Sequence, residues 1–101
     1  MQLHVLGPLE AVRDGAAVHL SSQQQRRVLI ALALAPGRIV SNDRLMTALW
    51  GEAWPASALK SLRAHVSRLR DALHDDDGRI VATGGNGYVL RIDADAIDAV
   101  R

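Results

Sequence analysis

Short extended patterns flank a run of helical ones along this chain. Leu3 to Leu6 alternates weakly and is broken by Gly7-Pro8. Leu9 to Arg13 resumes an extended pattern, Asp14-Gly15 reads as a hairpin turn, and Ala17 to Leu20 follows. Alternation punctuated by such turns predicts a small antiparallel sheet of about three strands. Ser21 or Ser22 then offers a hydroxyl to the orphan amides of a helix start, and Gln23 to Ala35 reads as that helix. Its second half, Val28-Leu29-Ile30-Ala31-Leu32-Ala33-Leu34, is apolar nearly all round, so it is expected in the middle of the domain. Pro36-Gly37 ends it.

Ile39-Val40 adds one short strand, and Ser41 caps a second helix with Asp43 in its first turn, where a negative charge favours the helix dipole. Leu45, Met46, Leu49 and Trp50 give this helix a face to bury. Gly51 to Pro55 breaks the pattern. A third helix, expected over 56–73, carries Leu59, Leu62, Val66, Leu69 and Leu73 at steps of three and four, which places them in one narrow stripe. Beyond Asp75-Asp76-Asp77-Gly78 the segment Ile80 to Thr83 is strand-like, Gly84-Gly85-Asn86-Gly87 is a turn, and Tyr88 to Ile92 is a second strand. Tyr88 is expected to pack this hairpin, spanning 80–92, against the third helix. Asp93 to Arg101 reads as the start of a further helix, so 1–92 is expected to be the domain and 93–101 the start of a linker or another domain. Helix, break, basic helix is the outline of a helix-turn-helix, here with a longer break than the usual three or four residues. The class is α+β.

At 101 residues the chain suffices for one domain. It has no cysteine, which excludes a disulfide frame or thiolate metal site. No apolar run approaches the roughly 18 residues of a membrane span, and Met1 to His4 lacks the layout of a secretion signal, so a cytoplasmic location is expected. The net charge of +1 says little by itself. Its distribution says more. From Pro55 to Arg70 the charged residues are Lys60, Arg63, Arg68 and Arg70, with no acid, whereas acid gathers at Asp75 to Asp77 and at Asp93, Asp95 and Asp98. Ser57, Ala64 and Ser67 lie roughly opposite the apolar stripe and keep that surface low. A helix held down on one side, and both cationic and low on the other, suits a DNA major groove. The alternative is a solvated basic face on an ordinary amphipathic helix.

Other chemistry finds little support. The glycine-rich turn at Gly84 to Gly87 precedes a strand and lacks the Lys-Ser/Thr pair of a nucleotide loop, so Asn86-Gly87 reads as a hairpin tip. His4, His19, His65 and His74 are scattered without ligand spacing. Ser67 lies two residues from His65, and such side chains do not face each other on a helix. No enzymatic activity, metal or cofactor is expected. Trp50 and Trp54 bracket the interhelical loop, either capping the core and pinning the loop or offering a surface to a protein partner.

His65-Val66-Ser67-Arg68-Leu69-Arg70-Asp71-Ala72-Leu73, followed by a hairpin with Gly87-Tyr88, resembles the winged helix-turn-helix of OmpR/PhoB-type DNA-binding domains. Further segments resemble one branch, the Streptomyces antibiotic regulatory proteins (SARP, AfsR-like) and their actinobacterial relatives. These are Val5-Leu6-Gly7-Pro8-Leu9, Gln24-Gln25-Arg26, Arg44-Leu45 through Ala48-Leu49-Trp50-Gly51, and Pro55. In that branch a helical transcriptional activation domain comes next, and Asp93 to Ile97 is similar to the junction.

The resemblance implies a sequence-specific, duplex-DNA-binding domain of a transcriptional activator, with the third helix in the major groove. Arg68 falls at the base-contacting arginine and His65 at a phosphate-contacting position. Lys60, Arg63, Ala64, Ser67 and Arg70 lie on or flank the same face. The hairpin becomes a wing at the adjacent minor groove, with Thr83, Gly84 and Asn86 nearest the DNA. Gly84 stands where relatives often carry arginine, so the wing is expected to discriminate poorly among sequences. The resemblance further implies direct-repeat sites, a homodimer on DNA, no membrane, and an RNA polymerase contact through Gly51, Glu52, Ala53 and Trp54. A winged helix used for protein–protein contact through the 51–55 loop is the rival reading.

Overall fold

The computed structural model describes residues 2–4, 10–13, 16–18, 20, 22–75 and 77–92. The expectations for Asp14-Gly15, for Ser21 and for 93–101 lie outside the described residues. Three short strands come first: β1 (Gln2–His4), β2 (Glu10–Arg13) and β3 (Ala16–Val18). They pair antiparallel in the order β1-β2-β3, with Leu3 opposite Ala11 and Val12 opposite Ala17. Helix α1 (Gln23–Ala33) follows, then β4 (Val40–Ser41), α2 (Asn42–Trp50), α3 (Ala58–Ala72), β5 (Val81–Gly84) and β6 (Gly87–Leu90).

Local chemistry sets the helix starts. The Ser22 hydroxyl accepts from the Gln24 and Gln25 amides at 3.2 and 3.5 Å, and the Ser41 hydroxyl accepts from the Arg44 amide at 3.2 Å. Each removes one of the unpaired amides every helix start exposes. Ser57 stands at the start of α3 without a side-chain cap bond; its carbonyl instead accepts from the Ser61 amide. Gly51 ends α2 at φ +71°, a conformation that disfavours any side chain.

The three helices meet over Leu29 and Leu32 from α1, Leu45 and Leu49 from α2, and Leu62, Val66 and Leu69 from α3, all buried, and Leu73, Val81 and Leu90 close the core from the hairpin side. With no phenylalanine and three aromatics in all, aliphatic packing supplies most of the burial. Two expectations from the pattern need correction. The second half of α1 is not covered all round: Ile30 is 37% exposed and Leu34, beyond the helix end, is 68% exposed. On α3 the stripe runs Ala58, Leu62, Val66, Leu69, while Leu59 turns away from it and is 38% exposed. Ala58 and Leu59 both satisfy the three-and-four spacing, and it is Ala58, 3% exposed, that the helix turns inward.

The short strand between α1 and α2 is not an isolated piece. β4 pairs with β6, Val40 opposite Tyr88 and Ser41 opposite Gly87, giving a second sheet in the order β4-β6-β5. The Asn42 amide donates to the Asn86 carbonyl and the Gly37 amide to the Leu90 carbonyl. The wing is thus held at both ends to the segment before α2.

Asp75 fixes the hairpin's other strand. After α3, the His74 amide donates to the Asp71 carbonyl and the Asp75 amide to the Arg70 carbonyl, with His74 at φ 55°. This reversal of the chain brings the Asp75 carboxylate under the start of β5. There it accepts from the Arg79 and Ile80 amides at 2.8 and 3.0 Å and from the Val81 amide at 2.8 Å. Asp75 is 4% exposed. The first residue of the acidic run is therefore a buried anchor, not a solvated charge.

Candidate nucleic-acid interface

With Ala58, Leu62, Val66 and Leu69 turned inward, α3 presents the opposite surface to solvent. Lys60, Arg63, Ser67 and Arg68 are exposed and Ala64 is half-buried. Within the described residues the side chains of Lys60, Arg63 and Arg68 make no hydrogen bond or ion pair. No acid precedes Asp71 on the helix. The low side chains Ala64 and Ser67 separate the long cations, so the face is a basic surface with a shallow floor. Coulomb attraction to a polyanion falls on three charges that no partner among the described residues neutralises.

His65 occupies the border of that face. Its ring lies 6.3 Å from the Trp50 ring, centroid to centroid, tilted by 41°. Its Nδ1 is buried with no hydrogen-bond partner. Burial, and to a smaller degree the neighbouring Arg68 charge, holds its pKa below the ordinary histidine value. The fold thus favours the neutral ring, which faces Trp50 of α2.

Arg70 is placed differently from the other cations. It is half-buried. Its Nε donates to the Val81 carbonyl at 2.8 Å and its Nη2 donates to the Thr83 hydroxyl at 3.0 Å. The guanidinium lies 5.7 Å from the centre of the Tyr88 ring. Arg70 therefore joins α3 to the wing and does not stand free on the basic face. Tyr88, 8% exposed, packs at this junction as the pattern predicted.

At the wing, Thr83 and Asn86 are exposed and Gly84 is half-buried. Gly84 has no positive φ; that conformation falls to Gly85, at +52°. A Cβ on Gly84 would lie 3.1 Å from the Ile39 Cδ1, so Ile39, itself 54% exposed, sits over the wing where a side chain would begin. In the interhelical loop Gly51, Glu52, Ala53 and Trp54 are all exposed. The Trp54 Nε1 donates to the Thr47 hydroxyl at 3.3 Å, which pins the loop back on α2 while leaving the ring 39% exposed. Trp50 packs partly buried against the core.

Pattern reasoning missed three features here. Asp75 carries no distinguishing signal within Asp75-Asp76-Asp77, beyond its place directly before a strand. Arg44 is an exposed cation on α2, beside a shallow hollow it lines with Asp43 and Thr47. The Trp50–His65 contact depends on the angle between α2 and α3, which no local pattern encodes. Among the described residues no group of three or more His, Cys, Asp or Glu side chains is placed to hold a metal ion, and no helix is long and apolar enough to cross a membrane.

This geometry agrees with what known proteins show. Residues 15–90 match the family model described as "Transcriptional regulatory protein, C terminal". The chain is 44% identical over 91 residues to the regulatory protein AfsR of Streptomyces coelicolor, covering 90% of this chain and 9% of that protein. It is 35% identical to the regulatory protein DnrI of Streptomyces peucetius, covering 92% and 37% of the two. The chain thus spans well under half the length of these relatives. Among solved structures, Mycobacterium tuberculosis EmbR in complex with a low-affinity phosphopeptide superposes with a TM-score of 0.89 at 35% identity, over 98% of this chain and 27% of that one. The C-terminal DNA-binding domain of RstA from Klebsiella pneumoniae gives 0.62 at 29% identity, over 79% and 74%. The DNA-binding domain of E. coli CadC gives 0.65 at 23% identity, over 83% and 79%, a likeness of fold. The three helices, the hairpin wing and the matched residues agree: this chain belongs to the OmpR/PhoB-type family of C-terminal domains of transcriptional regulatory proteins, among relatives of the Streptomyces antibiotic regulatory branch.

Proposed function

We propose that the chain binds double-stranded DNA sequence-specifically, as the DNA-binding part of an actinobacterial transcriptional activator, with α3 in the major groove and the wing at the minor groove. One observation carries the reading: Lys60, Arg63 and Arg68 share the uncovered face of α3 and have no internal partner among the described residues. Unneutralised cations on a low helical surface are what phosphate and base-edge contacts require. Arg68 reads a base, and Lys60, Arg63 and His65 hold phosphates. Ala64 and Ser67 line the groove floor, and Thr83, Gly84 and Asn86 approach the backbone under the wing. Family likeness supports two copies on direct repeats about one helical turn apart. The test is selection from a random duplex pool and then competition against scrambled duplex. A recurring motif bound well above its scrambled version supports the reading; recovery of no motif defeats it.

A second reading rests on the loop. Trp54 is 39% exposed yet held in place by Thr47, beside the hollow lined by Asp43, Arg44 and Thr47. A fixed, exposed indole suits a protein contact, and RNA polymerase is the partner the family likeness supports. Trp54→Ala should leave DNA affinity unchanged and reduce activated transcription. A loss of DNA affinity instead would place the loop at the DNA.

A further inference from the structure

Resting on the DNA reading, we propose that Arg70 is a positioning residue: it locks the wing to the recognition helix and acts on DNA through β5, making no phosphate contact of its own. Four observations meet on this side chain. Nε is committed to the Val81 carbonyl at 2.8 Å and Nη2 to the Thr83 hydroxyl at 3.0 Å. The guanidinium lies against the Tyr88 ring at 5.7 Å. Gly78, at φ +65°, borders the guanidinium: a Cβ there would sit 3.6 Å from its carbon and terminal nitrogen, an ordinary van der Waals distance. The planar fork thus spans two positions of one strand and the face of an aromatic on the next.

Arginine can do this and lysine cannot. A guanidinium presents donors in a fixed plane that also stacks on an aromatic, whereas an ammonium is a single point charge. The backbone completes the clamp, because the Arg70 carbonyl accepts from the Asp75 amide while the Asp75 carboxylate holds the start of β5. Side chain and main chain of one residue therefore fix β5 relative to α3. The side chains of Lys60, Arg63 and Arg68, by contrast, make no hydrogen bond or ion pair within the described residues. The cations of α3 divide into three that are free for a ligand and one that sets geometry. The angle between groove helix and wing decides whether both reach one duplex together.

The experiment uses the duplex that the wild-type chain selects. Hydroxyl-radical footprints are taken with wild type, Arg70→Ala, Arg70→Lys and Thr83→Val, alongside the salt dependence of affinity. Wild type should protect two backbone stretches, one under α3 and one under the wing. Arg70→Ala should keep the first, lose the second, and bind about tenfold more weakly, the size of one lost charge-assisted hydrogen-bond set. Its log-log salt slope should not change. Arg70→Lys should behave like Arg70→Ala, because the charge survives but the fork does not. Thr83→Val, which removes one bond and leaves the core intact, should weaken wing protection and add nothing to Arg70→Ala in the double variant. Rescue by lysine, or a slope flattened by about one, makes Arg70 a phosphate contact and overturns the proposal. A wild type without wing protection also overturns it. If wild type binds no duplex, the DNA reading fails first. The Arg70 Nε–H resonance of the free chain then decides the lock: slow exchange that Thr83→Val accelerates supports it, and fast solvent exchange in wild type refutes it.

Discussion

Charge at single residues separates ligand contacts from structural ones. Arg68 is exposed on α3 and makes no internal bond among the described residues, so its guanidinium is free to take both acceptors of a guanine edge. Arg68→Ala should cost about 1–3 kcal/mol on the selected duplex and relax preference at one base pair, read from affinities for single-base variants. Equal losses on selected and random duplexes would make Arg68 a phosphate contact. His65 provides a test without DNA. Its pKa is held below the ordinary 6.5 by burial and then by Arg68, so the fold favours the neutral ring. The stability this contributes is full above about pH 6.5, where both folded and unfolded chains are neutral at this site. It declines as pH falls toward the lowered folded value, because the unfolded chain takes up the proton first. His65→Asn should therefore lose less melting temperature than wild type between about pH 7 and about pH 5. An identical loss in both would show that His65 is not the group being protonated.

Among the elements, the wing depends most on contacts made far along the chain. A Cβ on Gly87 would lie 2.0 Å from the Val40 carbonyl oxygen and 2.8 Å from the Ser41 Cα, both backbone atoms of β4. Gly87→Ala should part β4 from β6 and destabilise the chain by about 1–3 kcal/mol or more in denaturant titration. A stability unchanged by Gly87→Ala would mean that the two strands separate without cost. Gly84 is a gentler case. It lacks a positive φ, and the atom a side chain would meet is the end of a half-exposed isoleucine, which can move aside. Gly84→Arg should fold with little loss and raise affinity most for duplexes with an A/T-rich flank, where a narrow minor groove draws arginine. A stable variant with no gain on either flank would show that the wing stays clear of the minor groove. Helix positions, both serine caps and the hairpin were legible in the sequence, because each rests on residues within one or two turns of chain. The junction of β4 with β6 was not, since a two-residue strand carries too little alternation to name a partner nearly 50 residues away. Spacing alone does not separate Leu59 from Ala58, which meets the same steps of three and four and is the one buried.

For the molecule as a whole, net charge hides the feature that matters. The chain carries only +1, yet three exposed cations share one face of α3 while acid lies at Asp71, Asp75 and Asp77, beyond the helix's basic stretch. The basic face itself was therefore visible in the sequence as an acid-free segment. The division of labour inside it was not, because Arg68 and Arg70 sit two residues apart with the same chemistry, and only the position of the wing separates them. Association with DNA should accordingly behave as a local electrostatic event on α3. The most direct measurement is the affinity of the chain for its selected duplex and for a scrambled duplex, each across a range of salt from low to physiological. The account predicts tighter binding of the selected duplex at every salt concentration. It also predicts log affinity falling linearly with log salt, and a slope reduced by about one in Lys60→Ala and again in Arg63→Ala. An affinity for duplex DNA that is equal for both sequences, or unmoved by salt, would contradict it.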